Sequence, residues 1–114
     1  MLNTIILLGR LTKEPELRKT NDELAIVNFD LAVDNPRANP DGTRGTTFIS
    51  CVCFKDIAEN VCKFLHKGSK IAVTGSIVQR FFMRQDGSKG SRYEVIADSV
   101  EFLDPKPVEE NKSE

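Results

Sequence analysis

Thr47-Phe48-Ile49-Ser50-Cys51-Val52-Cys53-Phe54 is followed at once by Lys55-Asp56-Ile57-Ala58-Glu59-Asn60-Val61-Cys62-Lys63-Phe64-Leu65. The apolar period changes at this junction. In the first segment alternate side chains fall on opposite faces of a strand. Ile49, Cys51 and Cys53 make one small apolar face, and Phe48, Ser50, Val52 and Phe54 make the other. In the second segment Ala58, Val61, Cys62 and Leu65 recur at three- and four-residue spacings, which predicts a helix with Asp56 as its cap and Gly68 as its end.

Strand signals flank this pair on both sides. Asn3-Thr4-Ile5-Ile6-Leu7-Leu8-Gly9-Arg10-Leu11 is a continuous apolar run, consistent with a strand covered on both faces. Lys13-Glu14-Pro15-Glu16 interrupts it, with Pro15 suggesting a bulge or edge. Leu24–Val33 is a second strand whose core face is Ala25, Val27, Phe29, Leu31 and Val33. Turn residues fill Asn35–Thr46, and Lys70–Phe82 is a fourth strand bent at Gly75. A loop at Gln85–Gly90 leads to a fifth strand, Tyr93–Leu103. Three strands, one helix and two strands fit an all-β fold: a five-stranded Greek-key OB barrel with its helix between strands three and four. The expected domain is 1–104, and 105–114 is a short acidic tail expected to be disordered.

Composition narrows the function. No apolar run reaches the roughly 18 residues of a membrane span, and the start lacks a signal-peptide pattern, so a cytoplasmic protein with no membrane partner is expected. Cys51, Cys53 and Cys62 form no CxxC pair, and His66 is the single histidine. Three small buried thiols are expected, with no metal, no cofactor and no disulfide framework. His66 suits a helix-end or surface position. Residues 1–92 carry fourteen Lys and Arg against ten Asp and Glu, a net of +4, whereas residues 93–114 carry a net of −5. A mildly basic body therefore precedes an acidic end. No nucleophile–base pairing or phosphate-loop spacing is present, so no catalytic residues are assigned and an enzyme is not expected.

The outward face of the third strand is the feature that carries chemistry. Phe48 and Phe54 lie six residues apart, about 20 Å along a strand. Arg80 and Phe82 share a parity on the fourth strand, while Phe81 takes the other face. Arg37, Arg44, Lys55, Arg84, Lys89 and Arg92 surround these rings in the chain. Every unpaired base offers flat aromatic faces, so stacking tolerates any sequence, and scattered cations hold phosphates without reading bases. Single-stranded DNA matches this layout; a duplex hides its base faces. Phe29 and Phe64 are assigned to the core, while Phe102 and Tyr93 take no assignment.

The residues also resemble a known family. Met1-Leu2-Asn3 with Leu8-Gly9-Arg10-Leu11-Thr12-Lys13-Glu14-Pro15-Glu16-Leu17-Arg18 is similar to the opening of bacterial single-stranded DNA-binding proteins. So are Phe48–Phe54 with Ala58-Glu59-Asn60-Val61, Leu65-His66-Lys67-Gly68-Ser69, and Tyr93–Val100. The resemblance covers residue 1 to about 105. It implies an OB-fold homo-oligomer, usually a tetramer, that coats single-stranded DNA in replication, recombination and repair, or in DNA uptake for short members. It implies base stacking on Phe48, Phe54 and Phe82, and phosphate contacts from Arg10, Arg18, Lys67 and Arg80. The family often carries tryptophan at the first and last of these rings and near Arg37, whereas this chain has none. Its end, Pro107-Val108-Glu109-Glu110-Asn111-Lys112-Ser113-Glu114, lacks the apolar tip through which members recruit partners, so tail-mediated recruitment is not expected. The competing expectation is an OB-fold interaction module of a replication or primosome assembly, with DNA binding secondary.

Overall fold

The structure, a computed structural model, describes residues 2–104. The expected acidic tail lies outside them. The elements in chain order are β1 (Ile5–Leu11), β2 (Glu16–Lys19), β3 (Ala25–Asp34), β4 (Thr46–Phe54), α1 (Lys55–Phe64), β5 (Lys70–Met83) and β6 (Lys89–Phe102). Strand neighbours run β1-β5-β6-β4-β3-β2, and β1 also pairs with β3. That extra pairing, Arg10↔Ala32 and Leu11↔Leu31, closes five strands into a ring. A parallel pair, Ser50–Val52 of β4 against Glu94–Ile96 of β6, completes it. The result is the OB barrel, with its helix between β4 and β5.

The core forms where inward parity meets apolar composition. Val27, Phe29 and Leu31 of β3, Cys51 and Cys53 of β4, Ile71 and Val73 of β5, and Val95 and Ala97 of β6 are all buried. Ala58, Val61 and Leu65 close the barrel from the helix side. Gly75 meets a register shift between β5 and β6, and a β-carbon there would collide with the Ile96 carbonyl oxygen. The bend expected at Gly75 is thus a close approach of two backbones.

Several expectations are corrected. The interruption at Lys13–Glu16 gives way to a sixth strand, β2, whose four side chains are all exposed, so no apolar alternation announces it. Phe54, not Asp56, holds the N-cap position, with no side-chain cap bond; Asp56 lies inside the first turn, where a carboxylate complements the helix dipole. The helix ends at Phe64, and Gly68 (φ 89°) serves the turn beyond it. Strand six begins at Lys89, so the preceding loop is only Arg84–Ser88. Phe64 is 54% exposed, not core. It lies about 100° round the helix from the centre of the stripe made by Ala58, Val61 and Leu65. Its ring packs instead beside Phe102, centroids 6.1 Å apart, with Lys63 Nζ 5.3 Å from it. Cys62 is only partly buried. β1 is covered on its inward face alone, leaving Ile6 70% and Leu8 50% exposed.

Candidate nucleic-acid interface

The strand registers arrange the outward residues in rows across the barrel. Arg10 pairs with Ala32 and Ala32 with Phe48, so β1, β3 and β4 share one level. Ser50, two residues on from Phe48, is level with Glu94 on the parallel β6, where the pairing of β4 with β6 begins. Arg92 pairs with Arg80. Phe48, on the level of Arg10, is 66% exposed. A phenylalanine left this open gains little from burial, which marks it as a surface residue.

A second row runs Arg18↔Ile26↔Phe54 across β2, β3 and β4. Phe54 is partly buried at the end of β4. Lys55, the next residue, takes a left-handed backbone (φ 59°) as the chain leaves the sheet for the helix. Phe82 forms a third position. It faces Gly90 across the hairpin, and a β-carbon on Gly90 would come within 2.6 Å of its ring. The glycine therefore lets the phenyl group lie against the β6 backbone. The Arg84 guanidinium stands 5.6 Å from the same ring's centroid and donates to the Lys89 carbonyl at 2.7 Å.

Between the first two rows lie two carboxylates to which the sequence alone assigns no role. Asp30, Ser50, Glu94 and Val78 share a level. Ser50 Oγ donates to Asp30 Oδ1 at 3.2 Å, and Arg80 Nε donates to Glu94 Oε1 at 2.9 Å. Both acids are thereby engaged within the protein. No single strand reveals this row; it exists only once the register is known.

The remaining candidates are placed differently. Arg10 Nη1 donates to the Gly68 carbonyl at 2.8 Å and stands 3.9 Å from Asp104, which orients it from the turn after the helix. Lys67 occupies that turn, where its backbone N–H donates to Glu14 Oε2 at 2.8 Å. That bond, and then the His66 ring at 3.3 Å, hold the Glu14 carboxyl below its usual range. Arg37 is exposed in the β3–β4 loop, and neither it nor Lys67 falls on a row with a ring. Beneath the interface, burial pushes the Cys51 and Cys53 thiols up to about 12, aided at Cys51 by the neighbouring Cys53, Asp30 and Glu94. Among the described residues no cluster of three or more His, Cys, Asp or Glu could hold a metal ion. No described helix is long and apolar enough to cross a membrane.

Comparison with known proteins gives the family. Residues 2–103 match the model of the Single-strand binding protein family. The chain is 45% identical over 106 residues to a single-stranded DNA-binding protein of Oceanobacillus iheyensis, covering 93% of this chain and 66% of that one. It is also 45% identical over 106 residues to one from Halalkalibacterium halodurans, covering 93% of this chain and 63% of the relative. Against single-stranded DNA-binding protein 1 of Staphylococcus aureus it is 42% identical over 114 residues, covering 100% of this chain and 73% of the other. The chain thus spans about two thirds of the length of the curated relatives it matches. On the family match and this level of identity, the chain belongs to the single-strand binding protein family.

Proposed function

We propose that the protein binds single-stranded DNA without sequence preference, stacking bases on Phe48, Phe54 and Phe82 while Arg10, Arg18, Lys55, Arg80, Arg84 and Arg92 hold the phosphates. The observation that carries this reading is Phe48: a phenylalanine 66% exposed in mid-strand, on a row with Arg10. An apolar ring held in water costs the fold burial it could have had. Stacking on a base recovers about 1–3 kcal/mol. The bound strand would serve replication, recombination, repair or DNA uptake.

The working unit is a homo-oligomer, with a tetramer as the family-based expectation. Ile6 and Leu8 on the outward face of β1, 70% and 50% exposed, and Leu2 shortly before the strand, 93% exposed, support this. Large apolar side chains left exposed together in this way mark an association site. Light scattering at micromolar concentration tests it, and a monomer would refute it.

Binding itself is tested with oligo-dT. Affinity should fall as salt rises, with a log–log slope near −0.7 per phosphate neutralised. Phe48→Ala and Phe54→Ala should each weaken binding by roughly fivefold or more with the fold intact. If both variants melt earlier yet bind as well as the parent, the rings belong to the core and the site is wrong.

A further inference from the structure

Gln79 to Tyr93 forms an arm that pairs only with itself. β5 meets β1 no further than Gly75, and β6 meets β4 no earlier than Glu94. The outward parity of this arm carries Arg80 and Phe82. Its other face continues the barrel's inward parity, which below the rim is Val73 and Val95, both fully buried. Above the rim there is no barrel to fill. Phe81, Met83 and Tyr93 on that face are 71%, 67% and 58% exposed.

The composition of this face is specific. Phe81 pairs with Ser91 and Tyr93 with Gln79, so the two rings are diagonal neighbours, about 7–8 Å apart at their roots. Rings with that separation admit one flat base between them. Among the described residues the aromatic pair in contact is Phe64–Phe102, not this one. Lys89, opposite Met83, supplies a cation at the edge of an open depression of about 540 Å³ lined by Phe81, Phe82, Met83 and Lys89. The arm holds Arg80, Arg84, Lys89 and Arg92 against Asp86 alone, a net of +3 in a chain whose total is −1. Asp86 is tied into its own turn, accepting from Ser88 N–H and Oγ at 2.9 and 2.7 Å. Two arms of this charge repel each other, whereas a polyanion is drawn to both faces.

We infer that the second face of the β5–β6 arm is a separate base-stacking site, in which Phe81 and Tyr93 hold bases of a single strand and Lys89 takes a phosphate. The inference rests on the DNA-binding reading above. The strand leaving Phe82 passes over the arm and stacks again on its reverse side.

Tyr93 provides the test, because the chain has one tyrosine and no tryptophan. Tyrosine emission therefore reports this face alone. The protein is titrated with end-labelled dT of about 16 nucleotides, the upper end of one OB-fold's site. Label anisotropy and tyrosine emission are followed together. The expected result is saturable binding with loss of most of the emission. Phe81→Ala should bind roughly fivefold or more weakly at an unchanged melting temperature. Saturating anisotropy with full emission, and Phe81→Ala binding like the parent, would overturn the second site and leave the first standing. Emission lost on concentrating the protein without DNA, with a rise in mass, would make the face a self-contact and overturn the inference. No anisotropy change at all would refute the DNA reading as a whole.

Discussion

Arg80 and Glu94 form an ion pair across the β5–β6 ladder, Nε to Oε1 at 2.9 Å, with the Glu94 side chain 11% exposed and that of Arg80 51%. The asymmetry sets what each partner does. The arginine can turn to solvent or phosphate, whereas the carboxylate depends on it. Arg80→Ala should therefore cost more stability, about 2 kcal/mol, than Glu94→Gln, at about 1 kcal/mol, after allowing for solvent screening of the half-exposed arginine. Denaturant unfolding of both variants checks the order. Glu94→Gln should keep its affinity for oligo-dT and Arg80→Ala should lose some.

Phe29 and Phe48 make a matched contrast one strand apart. Phe29 is 4% exposed and Phe48 66%. Phe29→Ala should destabilise by about 3–5 kcal/mol, and Phe48→Ala by no more than about 0.5 kcal/mol. Thermal melts give the first comparison and oligo-dT binding the second. The order reverses for affinity.

Lys55 pays for its left-handed backbone at φ 59°. Glycine relieves that cost, and the loosened unfolded chain offsets part of it. Lys55→Gly should stabilise the fold by about 0.5–1 kcal/mol. It should at the same time flatten the salt dependence of oligo-dT binding, since one cation is removed. Stability and affinity moving in opposite directions would separate the backbone effect from the charge.

The thiols of Cys51 and Cys53 set an alkaline limit. Burial holds both up to about 12, against about 9 in an unfolded chain. Above pH 9 the unfolded state sheds these protons and the folded state keeps them, so stability falls with rising pH. The fall approaches about 1.4 kcal/mol per pH unit for each thiol until the folded groups ionise. Denaturant midpoints between pH 8 and pH 11 should shift downward (about these magnitudes), and Cys51→Ala with Cys53→Ala should remove most of the pH slope. In the native protein at neutral pH, a thiol reagent should reach Cys62 first.

Much of this molecule follows from side-chain period. The outward Phe48 and inward Cys51 and Cys53 need only the alternation of a strand, and β3 buries Ala25, Val27, Phe29 and Leu31 on the parity that the chain shows. What escaped depended on relations between strands. β2 has no apolar face, so its pairing with β3 leaves no trace in composition. Phe64 lies about 100° round the helix from the buried stripe, so the helical period itself places it outside the core, where apolar type alone suggests burial. The Asp30–Ser50–Glu94 row and the level shared by Arg10 and Phe48 are products of register, which no single segment encodes. Phe81 has core parity on a strand that outruns its barrel.

The ring of strands is clasped unevenly. β1 meets β3 through two residue pairs and β4 meets β6 through three, while β5 and β6 share thirteen. Spontaneous opening should begin where the clasp is shortest, so the Thr12 amide hydrogen, which donates to the Asp30 carbonyl at 3.2 Å, should exchange with deuterium well before those of the long hairpin. A cylinder that can unlatch along one edge has a built-in line of slack, and the Arg10–Phe48 level lies across it.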